Sequence, residues 1–361
     1  MNKKIKYMTG LVLCILMAIG CAKADTGAPQ APQATQTEQE TQKAQTTQAP
    51  QAPQTPQAEQ TPQAEQTTQT AAGQETYSYE EYPLERNGIS LHLDCMKVED
   101  AEPEKNILLV HGSTYSSHEF DINYEDYSLV RRLAREGYAV WRLDIAGYGQ
   151  SEEVEDGLMP DTAYAAEDIR AAMERIADET GQDRIDLLGW SWGTMTAGLF
   201  ASKYPEHLGK LVLYAPVFAG LGEAEITEPF NHNDWAGAAE DFQTREDGSF
   251  DLEVTDPVLI EMWCSSCWHY DGDSSPNAWR KDALVSEDTV LIDLEKITVP
   301  TLVICGDKDP YMNLEKVNAS PDHLPEGSAL KVIPGGSHIL LYERNCYREF
   351  QDSVAAFLAE K

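Results

Sequence analysis

From Tyr77 onward the chain alternates short apolar runs with stretches of helical periodicity. Ile89–Met96 puts Ile89, Leu91, Leu93 and Cys95 on one face, the two-residue period of a half-buried strand. Asn106–Val110 and Tyr138–Leu143 are compact apolar runs of strand length, and between them Tyr127–Arg135 gathers Leu129, Val130 and Leu133 on one helical face before Gly137 stops it. Asp161-Thr162 can cap a helix reaching about Thr180, striped by Ile169, Ala172, Met173 and Ile176 and ended by Gly181. Strand Arg184–Leu188, helix Ser191–Lys203 and strand Lys210–Tyr214 follow. Strands Thr301–Cys305 and Leu330–Ile333 and helix Arg344–Leu358 close the chain. Such alternation predicts an α/β fold, with a mostly parallel central sheet covered by helices on both faces.

Residues 217–295 break the rhythm. They are acidic, show no clear strand, and carry Phe218, Phe230, Trp235, Phe242, Trp263, Trp268, Tyr270 and Trp279. A stretch of that length with so many large side chains is expected to bury them, so it reads as a helical cap above the carboxyl edge of the sheet rather than as surface loops.

Upstream of Tyr77 the pattern disappears. Lys3, Lys4 and Lys6 precede the apolar segment Leu11–Ile19, which is far shorter than the roughly 20 residues a membrane span requires. Ala18-Ile19-Gly20-Cys21 then resembles a bacterial lipoprotein lipobox. The resemblance implies cleavage before Cys21, its lipidation, and anchoring on an extracytoplasmic membrane face of the cell envelope; the alternative is an ordinary secretory signal with an incidental cysteine. From Ala22 to Thr76 there is no Ile, Leu, Val, Met or aromatic residue, and Thr-Pro-Gln-Ala-Glu-Gln occurs at 55–60 and again at 61–66. Nothing there can offset the entropy of folding, so 22–76 reads as a disordered tether and 77–361 as the folded domain.

The net charge of -34 is concentrated in that domain, since 77–361 holds 55 of the 61 acidic residues and 22 of the 27 basic ones. A surface so acidic argues against nucleic-acid partners, which need a basic face to displace counterions. It is also expected to repel anionic surfaces and to favour neutral or cationic substrates. No phosphate-binding glycine loop, nucleotide fingerprint or metal motif is present, so no cofactor is expected. Cys264-Ser-Ser-Cys267 is open to three readings: a redox pair, half of a zinc site, or packing residues. A monomer is expected.

Candidate chemistry centres on Gly189-Trp190-Ser191-Trp192-Gly193, which lies between a predicted strand and a predicted helix. Glycines flanking a serine at that junction let the chain turn sharply and raise the hydroxyl above the sheet edge. Free N–H groups at the helix start, including that of Trp192, face developing negative charge. With this motif in place, the region from Tyr77 to the C-terminus resembles the serine-dependent α/β-hydrolase family. Four further segments match in order: His111-Gly112-Ser113, Asp144-Ile145-Ala146-Gly147-Tyr148-Gly149-Gln150-Ser151, Gly306-Asp307-Lys308-Asp309 and Gly335-Gly336-Ser337-His338.

The resemblance implies Ser191 as nucleophile, His338 as base and Asp309 as the acid that orients it, with Asp307 as the competing carboxylate. The N–H groups of Ser113 and Trp192 would form the oxyanion hole, and the Asp144–Ser151 turn would be structural. Trp190, Trp263, Trp268 and His269 are candidate pocket residues. His111 belongs to the oxyanion loop, and the remaining histidines, His118 among them, are expected to be solvated. Serine at the elbow disfavours epoxide and halide chemistry, which need a carboxylate there. What remains is acyl transfer to water, with a small neutral carboxylic ester expected, of carboxylesterase or lysophospholipase type. Prolyl aminopeptidases are the second reading: Ser191-Trp192-Gly193 resembles theirs, and the acidic cap residues suit a substrate amine. Ser113-Thr114-Tyr115, however, departs from their glycine- and proline-rich oxyanion loop. A binding lipoprotein that keeps the fold without turnover is the third.

Overall fold

A computed structural model of the chain describes residues 75–360. The signal segment, Cys21 and the tether as far as residue 74 lie outside the described residues. The domain's central sheet has eight strands: β1 (Tyr77–Glu81), β2 (Leu93–Val98), β3 (Lys105–Val110), β4 (Tyr138–Leu143), β5 (Ile185–Trp190), β6 (Leu208–Tyr214), β7 (Thr301–Gly306) and β8 (Ala329–Ile333). Five longer helices accompany them: α1 (Leu129–Arg135), α2 (Thr162–Thr180), α3 (Trp192–Lys203), α4 (Pro257–Tyr270) and α5 (Tyr347–Ala359). The spatial order is β1-β2-β4-β3-β5-β6-β7-β8. β2 runs antiparallel to both β1 and β4, and every pairing from β4 onward is parallel.

Period-two alternation along the central strands supplies two cores. Ile107 and Leu109 of β3, with Leu188, Val212 and Ile304, pack under α1 and α5. Leu108 and Val110, with Leu187, Leu213 and Val303, pack under α2 and α3. Helix α2 starts and stops where its sequence signals lie: Asp161 accepts from the Tyr164 N–H at 2.8 Å, and Gly181 ends it at φ +71°.

Three expectations shift. The run Ile89–Met96 is broken at His92, because the His92 N–H donates to Ser151 Oγ instead of to a neighbouring strand. Ile89–Leu91 pairs back on Leu84–Arg86 through an Asn87-Gly88 turn whose residues both have positive φ, and β2 begins only at Leu93. The final helix starts at Tyr347 rather than Arg344, since the Arg344 N–H is drawn off to Val254 O in the insertion. The insertion is helical in α4 and in the short helices Trp235–Ala238 and Ala278–Ala283. It also holds a two-stranded ribbon, Phe230–His232 against Ser274–Pro276, which its polar sequence gave no sign of.

The order of the strands fixes where a ligand can sit. Connections depart in opposite directions from β3 and β5, which pair in register up to Val110↔Gly189. The loops leaving their carboxyl ends therefore diverge and leave a crevice. Those loops are His111–Ser113 and the Ser191 turn.

Candidate active site

Ser191 occupies that crevice as the N-cap of α3, with φ +55° and ψ -118°. A non-glycine residue in this region is strained by roughly 1–3 kcal/mol and persists only where its surroundings fix it. Here the Ser191 N–H donates to Tyr214 O at 3.0 Å, and two glycines permit close backbone approach. A Cβ on Gly189 would lie 2.1 Å from Gly193 O, and one on Gly193 would lie 2.5 Å from His111 O. The glycines of the motif thus press α3 onto both its own strand and the neighbouring loop.

His338 and Asp309 arrive on the loops after β8 and β7. Both are buried, and His338 Nδ1 bonds Asp309 Oδ2 at 2.7 Å. Asp309 Oδ1 accepts the Tyr311 N–H, while the competing Asp307 is exposed and accepts from Gly335 N at 2.7 Å. Asp307 thereby shapes the histidine loop, and Asp309 meets the imidazole. Burial works against the charged His338 ring, but the carboxylates of Asp309 and of Asp241 behind it outweigh burial and raise its pKa.

Asp241 and Glu240 belong to the insertion. Glu240 is exposed and Asp241 half-buried. Burial and carboxylate neighbours lift both above the usual acid range, with His338 opposing the shift at Asp241. Catalysis through His338 requires its neutral ring, so the acid limb of kcat/KM is expected above the ordinary imidazole value near 6.5. Removing the Asp241 charge destabilises the imidazolium. Asp241→Asn should therefore move that limb to lower pH, by roughly half a unit. A pH–rate profile in which the limb stays or rises would place Asp241 beyond the reach of the catalytic imidazole.

The oxyanion loop is held by His111, which belongs to it, and by Glu119, which no local pattern singles out. Glu119, buried on the turn Ser117–Phe120, accepts the Gly112 N–H at 2.6 Å, and burial pushes its carboxyl well above the normal range. His111 accepts the Ile145 N–H on Nε2 and donates from Nδ1 to Gly112 O, and burial holds its pKa down. With the loop pinned in this way, the N–H groups of Ser113 and Trp192 have no acceptor among the described residues. Thr114 follows at φ +79°, so the loop takes a glycine-like turn without glycine. Glu119→Ala would strand the Gly112 N–H. It should cost about 1–3 kcal/mol in chemical denaturation and lower kcat roughly tenfold as Ser113 shifts. Glu119→Gln, which keeps the acceptor, should recover most of both.

Tyr214 is the other residue that pattern reading passed over. Its carbonyl receives the Ser191 N–H and its hydroxyl donates to His338 O at 2.8 Å, so one residue at the end of β6 ties Ser191 to His338. Trp190 stacks on it, with centroids 5.1 Å apart, and lies 6.0 Å from both His338 and Trp263. Trp190 and Trp263 are each 2% exposed. They form the packed backing of the site rather than an open wall. The Trp192 side chain is also buried and donates to Thr162 Oγ1.

Trp268 and His269 are corrections. The inward face of α4 is Leu259, Ile260, Trp263, Cys264 and Cys267, and the helical period turns 268 and 269 outward, leaving both exposed. His118 is a correction of the opposite kind. It is buried, bonds Asp271 at 2.7 Å and Ser266 at 2.9 Å, and stacks on Tyr270. It thereby joins the oxyanion-side turn to the cap. Cys264 and Cys267 are free and buried. A cavity of about 820 Å³ lined by His92, Asp94, Arg142 and Asp144 contains none of Ser191, Asp309 and His338, so its size says nothing about the catalytic cleft.

A mostly parallel sheet of this strand order, with a strained serine, a buried histidine–carboxylate pair and two free N–H groups at its carboxyl edge, is an α/β-hydrolase. The chain belongs to the serine aminopeptidase S33 family, whose match covers residues 101–345. It is a hydrolytic enzyme of that superfamily. It is similar to a proline iminopeptidase from Lactobacillus delbrueckii subsp. lactis, 24% identical over 287 residues, which is 73% of this chain and 93% of the relative. Its fold is similar to that of a bromoperoxidase from Bacillus anthracis, with TM-score 0.58 and 21% identity over 78% of this chain and 100% of the other. A carboxylesterase from Bacillus subtilis also shares it, with TM-score 0.54 and 18% identity over 78% and 92%.

Proposed function

We propose that the protein is a serine hydrolase that cleaves a small carboxylic ester through an acyl-enzyme intermediate on Ser191. The observation that carries this reading is the 2.7 Å Asp309–His338 pair on the loops beside a serine held at φ +55°. Ser191 Oγ attacks the acyl carbon while its proton passes to His338 Nε2, and the carbonyl oxygen takes up negative charge against the Ser113 and Trp192 N–H groups. Collapse breaks the ester C–O bond, and the alcohol leaves with the proton from His338. Water, deprotonated by the same ring, then releases the acid and restores Ser191. Asp309 keeps the proton on Nδ1, so that Nε2 faces the serine. The reading includes a lipidated Cys21 with residues 22–76 as spacer, which would keep the domain at an extracytoplasmic membrane face.

Cleavage of an aminoacyl amide is the second reading. It is favoured by Asp241, whose carboxylate acts on His338, and by the neighbouring Glu240, which together suit an ammonium group, and by the proline iminopeptidases among the relatives. Kinetics of the full chain on 4-nitrophenyl acyl esters of increasing length, run beside aminoacyl 4-nitroanilides, decide between the two. The ester reading expects short acyl esters to have the higher kcat/KM. Anilides cleaved far faster than every ester would replace it with the peptidase reading.

A further inference from the structure

One charge in the cleft has no counterpart. Arg280 projects from the short cap helix Ala278–Ala283 toward the oxyanion loop, where Nη2 lies 3.5 Å from Thr114 Oγ1, one residue beyond Ser113. Nη1 donates to Asn277 Oδ1 at 2.9 Å, and the guanidinium lies 4.6 Å from the Trp279 ring centroid. Among the described residues no carboxylate oxygen comes within 4.0 Å of it. Its electrostatic neighbours are Tyr148, Glu240, Tyr115 and Tyr311, the last packed edge-on against His338 at 4.8 Å. Arg280 is half-buried, and burial pushes its guanidinium below the ordinary arginine value.

This is an unusual position for a cation. The folded domain carries 55 acidic residues, yet this guanidinium sits in the reaction cleft with no ion pair and with donors to spare. Withdrawing an arginine from water is unfavourable unless an anion meets it, and a planar fork of N–H donors matches a carboxylate in two-point geometry. Glu240, the cap carboxylate that acts on it, stays exposed and outside bonding distance, so it leaves those donors to something that enters the cleft.

We propose that Arg280 binds a carboxylate carried by the substrate away from the scissile bond, so that the substrate class is small anionic esters or amides. The proposal rests on the hydrolase reading above. It replaces the neutral substrate expected from overall charge, because a half-buried arginine against the oxyanion loop outweighs distant surface acids screened by salt. Through Thr114, the same contact lies against the turn that presents the Ser113 N–H.

Paired substrates test it on the full chain. 4-Nitrophenyl butyrate is set against the 4-nitrophenyl hemiesters of succinate, glutarate and adipate, and phenyl acetate against the acetates of 3- and 4-hydroxybenzoate. The wild type is expected to favour an anionic member of at least one series in kcat/KM. Arg280→Gln should reduce that anionic-to-neutral ratio by roughly 10- to 100-fold, with Arg280→Lys keeping part of it. Neutral partners preferred in both series would overturn the proposal. So would an Arg280→Gln variant that loses the same factor on both partners, which would make Arg280 a prop for the loop alone. Fluorophosphonate labelling of Ser191 separates the two levels. No labelling of folded wild type sinks the hydrolase reading itself, whereas full labelling without anionic preference removes only the role of Arg280.

Discussion

Ser191→Ala is expected to lower kcat by roughly a hundred-thousandfold or more and to abolish fluorophosphonate labelling, while the domain stays folded. The loss is large because, on the proposed mechanism, the Ser191 hydroxyl is the group that bonds the acyl carbon. What survives is the polarisation by Ser113 and Trp192 of a carbonyl attacked by water. Stability should change by less than about 1 kcal/mol, because the contacts that hold the elbow are made by its backbone. The Ser191 N–H still reaches Tyr214 O, and Gly189 and Gly193 still pack as before. Alanine at φ +55° is strained as serine is, so a thermal melt should superpose on the wild type. A variant that melts normally and retains more than about one per cent of turnover would remove Ser191 from the nucleophile role.

Asp309→Asn should lower kcat by about a thousand- to ten-thousandfold, the second largest effect expected. The carboxylate accepts from His338 Nδ1 at 2.7 Å; an amide can turn its own N–H toward the ring and stabilise the wrong tautomer, with the proton on Nε2. The charge is lost as well. Because Asp309 raises the His338 pKa, residual activity should show its acid limb at lower pH than the wild type. Asp307→Asn is the matched control in the same turn. Its bond to Gly335 N survives through the amide oxygen, so kcat should remain within about threefold. If Asp307→Asn proved the more damaging of the two, the acid of the triad would have been assigned to the wrong carboxylate.

The parts of the structure that repeat a local rule were legible before the coordinates. Helix α2 runs from its Asp161 cap to Gly181 because both signals act within one turn of the chain. The elbow was legible for the same reason, since two glycines, a serine and a flanking strand are contiguous. The supports of the site were not, because each depends on residues distant in sequence. Glu119 matters through its bond to Gly112, and Tyr214 joins Ser191 to a loop more than a hundred residues away. Nothing in an apolar strand ending in Tyr214 distinguishes a tie from a core residue. His118 looked like a surface histidine until α4 folded over it and supplied Ser266, Tyr270 and Asp271. Trp268 and His269 failed differently. Aromatic composition marks a segment that buries surface, but only the phase of the helix says which of its aromatics turn inward.

The tie made by Tyr214 divides the labour of the molecule. The backbones of Ser191 and His338 are tied to one another within the sheet edge, through one strand-end residue. The groups that would sort substrates, Arg280 and Glu240, both stand on the insertion. Changes at β6 should therefore scale the turnover of every substrate alike and leave their ranking untouched, whereas changes at Arg280 and Glu240 should reorder the ranking at nearly constant intrinsic reactivity. A hydrolase built this way can exchange one diet for another by changing residues of the insertion that do not touch His338 or Trp190, with its engine left as it is.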